Sequence, residues 1–271
     1  MDQEPGAEMV ENTPDKGFQG PLSAFNARTI EQIRNRIGDT PDERWPNVDG
    51  CLVVLFTARS GSTFLTRELE VAYDIGHVSE SLNPPKLLKR SPQKIVRKLR
   101  SSWFAFKAGA LGVIAAETCG LMAAYRERTC FIRLIRRDIV AQAVSTAKAI
   151  QTTSWHARNT PVKSAEYDEA MIDEAVGRIS IGVEQLRQYA IATGRPHLQL
   201  VYEDFADGDL EPAMRVGDEL GLPRRPPDDK ALRPVERVGD EVNAAWIARF
   251  NEEMSPATRA IVEYYVANAT N

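Results

Sequence analysis

Cysteine and histidine are scarce in this chain, which has only three residues of each among its 271. The cysteines, Cys51, Cys119 and Cys130, are odd in number and form no C-x-x-C pair. This usage predicts buried thiols in a reducing cytoplasm rather than disulfides, and so few possible ligands indicate no metal site.

Long apolar runs are missing as well. The longest apolar stretch near the N-terminus covers residues 51–56, whereas a membrane-spanning helix needs about 18–20 apolar residues. The first residues are acidic and show no basic segment followed by an apolar core. We therefore expect a cytoplasmic protein with neither a transmembrane segment nor a secretory signal.

The chain has no excess of positive charge, since its formal net charge is −4, and this balance argues against a nucleic-acid partner. Residues 81–116 nevertheless contain no acidic residue. The basic side chains in this stretch are Lys86, Lys89, Arg90, Lys94, Arg97, Lys98, Arg100 and Lys107. Two interpretations stay open, a solvated helix face or a site that faces an anion.

The composition is that of an ordinary globular protein, with 43% hydrophobic and 27% charged residues. Its length lies near the limit of roughly 250–300 residues for one hydrophobic core. Residues 1–20 are rich in proline, glycine and acids, and we expect a disordered tail there. Residues 21–271 are therefore predicted to form a single domain.

Apolar periodicity predicts strands that alternate with helices. Strands are expected at residues 51–56, 129–135 and 197–202, and helices at residues 64–70, 139–150, 171–190 and from 211 towards 221. The strand at 51–56 is apolar throughout, which is typical of a strand buried on both faces. The prediction is an α/β fold with a P-loop-like parallel sheet and helices on both of its faces.

The loop after the first strand carries the strongest functional signal. Arg59, Ser60, Gly61, Ser62 and Thr63 combine a guanidinium, hydroxyl groups and a flexible glycine just before a helix. The backbone N–H groups and the positive dipole end of such a helix attract phosphate or sulfate oxygens. The alternative is an ordinary strand-to-helix turn that happens to contain these residues.

An ATP-type P-loop is a poor match for this loop. That motif would require lysine at the position of Ser62 and glycine at the position of Phe56. No clear carboxylate for magnesium follows the later strands, because the strand at 129–135 runs into Arg136 and Arg137. A sulfuryl group carries less charge than a phosphoryl group, so arginine, lysine and backbone donors without a metal suit it better.

Three segments together resemble the bacterial carbohydrate sulfotransferases, in particular the branch of trehalose 2-sulfotransferase. They are residues 59–65, 134–145 and 149–155, and the resemblance extends from about residue 52 to residue 250. It implies a sulfotransferase-type fold, 3′-phosphoadenosine 5′-phosphosulfate (PAPS) as the co-substrate, and no metal. A homodimer is also compatible with the resemblance.

The resemblance also implies residues that bind the donor. Residues 59–63 match the family's loop for the 5′-phosphosulfate. Arg136 and Ser145 match the pair that binds the 3′-phosphate, although Arg137 is an alternative for the arginine. Arg237, near the C-terminus, matches a further 3′-phosphate contact.

Residues for catalysis and for the acceptor follow in the same way. Glu80 matches the general base that takes the proton of the acceptor hydroxyl, and His77 is the alternative base. Lys107 matches a lysine that holds the transferring sulfonate and neutralises the leaving phosphate. The residues that match the acceptor cleft are Gln151, Thr152 and Trp155.

The sequence thus predicts an enzyme that moves a sulfuryl group from PAPS to a hydroxyl of a carbohydrate or a glycosylated metabolite. Two alternatives remain open. One is a P-loop kinase-like phosphotransferase, and the other is a non-catalytic nucleotide-binding protein of the same fold.

Overall fold

The computed structural model describes residues 31–32, 34–35, 45–77, 80, 92–97, 101–155, 164–225 and 241–269. The predicted N-terminal tail and Arg237 lie outside these residues. Most of the basic stretch at 86–100 lies outside them too, so its two interpretations both stay open.

Each strand of the described chain is followed by at least one helix. The strands are β1 (Gly50–Phe56), β2 (Ile75–His77), β3 (Trp103–Ala108), β4 (Thr129–Ile135) and β5 (His197–Val201). The helices are α1 (Ser62–Ala72), α2 (Pro92–Arg97), α3 (Ala110–Thr118), α4 (Leu121–Ala124), α5 (Ile139–Thr152), α6 (Glu169–Ala192), α7 (Glu211–Glu219), α8 (Glu241–Glu253) and α9 (Pro256–Ala269). Short 3₁₀ turns lie at Arg126–Arg128 and Tyr202–Asp204.

Within the described residues, the five strands form one sheet in the order β2-β3-β1-β4-β5, and all neighbouring strands are parallel. The predicted α/β fold with a parallel sheet is therefore confirmed. The predicted strand at 129–135 matches β4 residue for residue. Strand β5 ends one residue earlier than predicted, because Tyr202 begins a 3₁₀ turn.

Helices cover both faces of the sheet. Along β1, Cys51, Val53 and Leu55 are buried against α3, α4 and α6. Leu52 and Val54 point to the other face, where α1 and α7 pack. The alternation follows from the two-residue period of a strand, and it explains why β1 is apolar throughout.

The cysteine prediction is confirmed for the thiols themselves. Cys51, Cys119 and Cys130 are all free and buried. Burial raises the pKa of the Cys119 and Cys130 thiols to about 12 and raises that of Cys51 well above its ordinary value.

The candidate site follows from the topology. Strand β1 is central, with β3 on one side and β4 on the other. After β1, the chain first forms the strands on one side of it, β2 and β3, and then crosses to the other side to form β4 and β5. Ligands of open α/β sheets bind at the carboxyl ends of the strands where the order reverses in this way. None of the helices in the described ranges is both long and apolar enough to cross a membrane.

Candidate anion-binding and sulfuryl-transfer site

The loop between β1 and α1 turns sharply at two residues. Arg59 has φ 62° and Gly61 has φ 86°, both in the left-handed region. Glycine adopts this region without steric cost, whereas other residues rarely do. A Cβ added at Gly61 would also overlap the ring of Tyr202. Helix α1 begins directly after Gly61, and a glycine at this position has no side chain that could cap the first N–H groups of the helix.

Gln142 on α5 forms hydrogen bonds to the first residues of this loop. Its side chain is fully buried, and its Nε2 donates to the Thr57 hydroxyl at 2.8 Å and to the Ala58 carbonyl at 2.6 Å. On the other side, Gly182 of α6 lies so close to Thr57 that a Cβ would be 3.0 Å from its methyl group. The loop is therefore supported by two helices that follow it much later in the sequence.

Arg59 joins the loop to α5 and to the segment that follows α5. Its Nε donates to the Ser145 hydroxyl at 2.9 Å, and its Nη1 donates to the Trp155 carbonyl at 2.6 Å. Burial lowers the pKa of Arg59, and the nearby positive charge of Arg136 lowers it further. Two guanidinium groups in one small region create a field that favours an anion between them.

Lys107 brings the end of β3 into the same place. Its side chain is 3% exposed, and its Nζ donates to the Thr63 hydroxyl at 2.9 Å. The same Nζ lies 3.3 Å from the Glu80 carboxylate and 5.4 Å from the centre of the Phe56 ring. The predicted base, the predicted sulfonate-binding lysine and the loop are thus in direct contact.

The two candidate arginines after β4 have different surroundings. Arg136 lies over the Tyr202 ring at 5.2 Å, and its Nε is buried with no hydrogen-bond acceptor among the described residues. Arg137 is 49% exposed and pairs with Asp204 at 2.9 Å. Arg136 is therefore the one next to the loop, and we retain it as the predicted phosphate ligand.

Glu203 and Tyr202 belong to this region, although the sequence motifs gave them no binding role. Glu203 accepts from the backbone N–H of Arg137 at 2.8 Å and of Asp138 at 3.2 Å. The hydroxyl of Tyr265 on α9 donates to the Arg136 carbonyl at 2.9 Å.

The sequence analysis also did not name Gln142. The signal that could have found it is a polar residue on the apolar side of a predicted helix.

The predicted acceptor residues have less uniform surroundings. Trp155 is 42% exposed, so its ring is accessible. Gln151 uses both ends of its amide on the backbone of Glu166, each at 2.8 Å. Thr152 is buried, and its hydroxyl donates to the Lys148 carbonyl. Gln151 thus joins the end of α5 to Glu166, whereas the hydrogen bond of Thr152 stays within its own helix, and contact of either residue with an acceptor stays a prediction.

Two predicted residues are only partly described or not described. The backbone of His77 pairs with Ala105 of β3, but its side chain lies outside the described residues. Arg237 lies outside them altogether. No group of three or more histidine, cysteine, aspartate or glutamate residues that could hold a metal ion occurs in the described ranges.

Fold and site together describe an α/β protein with a candidate anion-binding loop at the end of its central strand. A protein-family model described as Stf0 sulphotransferase matches residues 107–253, which is more than half of the chain. The chain therefore belongs to the Stf0 sulphotransferase family, and the prediction of a sulfotransferase is confirmed. The match includes Lys107, Arg136 and Ser145.

A solved structure supports the fold over nearly the whole chain. The crystal structure of mouse sulfotransferase SULT7A1 complexed with PAP superposes with a TM-score of 0.53, covering 89% of this chain and 90% of that chain. The sequence identity is 12%, so this likeness establishes the fold alone. No curated protein matches the sequence.

Proposed function

We propose that this sulfotransferase moves a sulfuryl group from PAPS to a hydroxyl of a carbohydrate or a glycosylated metabolite. The observation that carries the proposal is the contact of Arg59 with Ser145. Arg59 belongs to the loop predicted for the 5′-phosphosulfate, and Ser145 to the pair predicted for the 3′-phosphate. The distance between the two motifs thus suits one nucleotide that carries both groups.

The polar groups of the site fit such a donor. The Ser60 hydroxyl and Arg136 Nε are buried without a hydrogen-bond partner among the described residues, and a phosphate or sulfate oxygen would satisfy both kinds of donor. The first N–H groups of α1 would hold the 5′-phosphosulfate. Arg136 and Ser145, with Arg237 as a further candidate, would hold the 3′-phosphate. The nucleotide bound by SULT7A1, PAP, supports the same class of donor.

Transfer would proceed by in-line attack of the acceptor oxygen on sulfur. A new O–S bond forms while the bond from sulfur to the bridging phosphate oxygen breaks, and the electron pair stays on that oxygen. Lys107 and Arg59 would stabilise the charge that develops there. Glu80 would take the proton of the acceptor hydroxyl, and its position beside Lys107 supports this role. His77 is the alternative base.

The acceptor would lie near Trp155, whose accessible ring could stack on a sugar. Gln151 and Thr152 are the proposed polar contacts nearby. We further propose a reducing, cytoplasmic compartment, because the described cysteines are free and buried. A homodimer is the proposed assembly, and light scattering after size exclusion would measure it.

A thermal-melt series tests the donor site. PAP, the desulfonated donor product, would be compared with ATP plus Mg²⁺ and with a control without ligand. A ligand at 100 times its dissociation constant adds about 2.7 kcal/mol. For a chain of this size, the expected shift is roughly 5–10 °C.

The outcomes separate the alternatives. Stabilisation by PAP alone supports the donor site, and transfer of labelled sulfate from PAPS to a panel of sugars and glycosides would then test the reaction. Stabilisation by ATP plus Mg²⁺ alone would favour the kinase-like alternative. PAP binding without transfer to any acceptor of the panel would overturn the proposed carbohydrate acceptor and leave the donor site intact.

A further inference from the structure

Glu203 occupies the junction of β5, β4 and α5. It lies in the 3₁₀ turn Tyr202–Asp204, directly after β5. Both of its carboxylate oxygens accept hydrogen bonds from backbone N–H groups just before α5, one from Arg137 at 2.8 Å and one from Asp138 at 3.2 Å. A carboxylate at this end of a helix is stabilised by the helix dipole, so the position of Glu203 is well determined.

The same carboxylate lies beside Arg136. Glu203 Oε1 is 3.7 Å from Arg136 Nε, which is an ion pair but is too long for a hydrogen bond. Both side chains are about three-quarters buried, with 27% and 23% exposed. The carboxylate therefore attracts the charge of the guanidinium without accepting a hydrogen bond from Arg136 Nε, which has no acceptor among the described residues.

Tyr202 completes the support of Arg136. Its ring lies 5.2 Å from the guanidinium, and the same ring is so close to Gly61 in the candidate anion-binding loop that an added Cβ would overlap it. The guanidinium is thus confined between a carboxylate and an aromatic face. Tyr202 and Glu203 are consecutive residues, so one short turn determines both contacts.

We propose that Glu203 is a positioning residue that orients Arg136 towards the 3′-phosphate and thereby determines the preference for a 3′-phosphorylated nucleotide. This inference rests on the proposed function, because it assumes that Arg136 faces the donor. A guanidinium on a long flexible side chain loses conformational entropy when it binds an anion. An arginine that is already oriented loses less, so it binds the phosphate more tightly.

The neighbouring pair, Asp204 and Arg137, provides a matched control. It has the same charges, follows in the same order along the chain, and has an N–O distance of 2.9 Å. Its side chains are 45% and 49% exposed, and Arg137 is not the arginine next to the loop. Loss of this pair removes a similar surface interaction without affecting Arg136.

The test measures dissociation constants of PAP and of AMP, which lacks the 3′-phosphate, for the wild-type protein, Glu203→Gln and Asp204→Asn. Glu203→Gln removes the charge but preserves the size of the side chain and one acceptor oxygen. We expect it to lower the preference for PAP over AMP about threefold to tenfold, a modest range because the pair is partly exposed. We expect the affinity of Glu203→Gln for AMP to change less than about twofold. The preference of Asp204→Asn for PAP over AMP should also change less than about twofold.

A double-mutant cycle with Arg136→Ala tests whether Glu203 acts through Arg136. In the Arg136→Ala background, Glu203→Gln should have no further effect on the preference. A preference that is unchanged or increased in Glu203→Gln, or an equal loss for both nucleotides, would overturn the inference and leave the proposed donor site intact. If the wild-type protein binds PAP no better than AMP, the proposed function and the inference both fail.

Discussion

Arg59 Nε donates a hydrogen bond to the Ser145 hydroxyl over 2.9 Å, across 86 residues of sequence. The Nη1 of the same guanidinium donates to the Trp155 carbonyl at 2.6 Å. One side chain thus connects the loop predicted to bind the 5′-phosphosulfate, the helix predicted to bind the 3′-phosphate and the segment predicted to contact the acceptor. The predictions below begin from this connection.

Replacement of Arg59 by alanine should weaken PAP binding about 10- to 100-fold, because charge-assisted hydrogen bonds are worth roughly 1.5–3 kcal/mol. Isothermal titration calorimetry measures the change. Arg137→Ala serves as the control, since Arg137 is half exposed and pairs with Asp204. If Arg137→Ala loses as much PAP affinity as Arg59→Ala, the arginine after β4 that contacts PAP is Arg137 and not Arg136.

Gly61→Ala should destabilise the protein and abolish PAP binding. Its φ of 86° disfavours any side chain, and the new Cβ would overlap the Tyr202 ring. Gly120→Ala is a matched control, because Gly120 has φ 73° but nothing lies within 4 Å of its Cβ position. We expect Gly120→Ala to cost only about 1 kcal/mol in urea unfolding and to preserve PAP binding. Equal losses in both variants would contradict the role of the Tyr202 contact.

Gln142→Ala should weaken PAP binding by loosening the loop that Gln142 supports. The substitution leaves the Thr57 hydroxyl and the Ala58 carbonyl without their buried donor, at a cost of about 1–3 kcal/mol in unfolding free energy. Gln151→Ala is the control on the same helix, because its amide binds the backbone of Glu166 instead. PAP affinity should be normal in Gln151→Ala, and a normal affinity in Gln142→Ala would refute the supporting role.

Glu80→Gln should lower kcat by about 10²- to 10⁴-fold, because a glutamine amide cannot take the proton from the hydroxyl of the acceptor. PAP affinity should change little. Transfer of labelled sulfate to an acceptor from the sugar panel measures kcat, and calorimetry measures PAP affinity. His77→Ala is the parallel variant. If His77→Ala loses turnover and Glu80→Gln does not, the proton is taken by the histidine.

The three thiols should be unreactive in the native protein. Burial raises the pKa of Cys119 and Cys130 to about 12, so at pH 8 these groups remain protonated, and the thiolate is the reactive form. A disulfide reagent such as DTNB should therefore release no more than a trace of chromophore at pH 8. After unfolding in guanidinium chloride, all three cysteines should react. Rapid reaction of a native thiol would contradict the described burial.

Local patterns were enough to predict much of the fold. The strand at 129–135 was predicted to its exact bounds, because its apolar residues stand between charged and polar ones. Helix α6 extends from Glu169 to Ala192, two residues beyond each end of the predicted core of 171–190. Strand β2 has only three residues, and a run so short has no period from which it could be predicted.

The residues of the site divide in the same way. Arg59, Gly61 and Thr63 could be predicted as site residues from sequence because they lie within five positions of one another, where a strand leads into a helix. The partners of Gln142 and Glu203 could not be predicted, because they are about 66 to 85 residues away in the chain. Their polar side chains acquire a role only when a parallel sheet brings the ends of β1, β4 and β5 to one edge. Sequence alone therefore predicted the candidate anion-binding loop, whereas the contacts that support this loop, and the position of Arg136 rather than Arg137 beside it, depend on long-range packing.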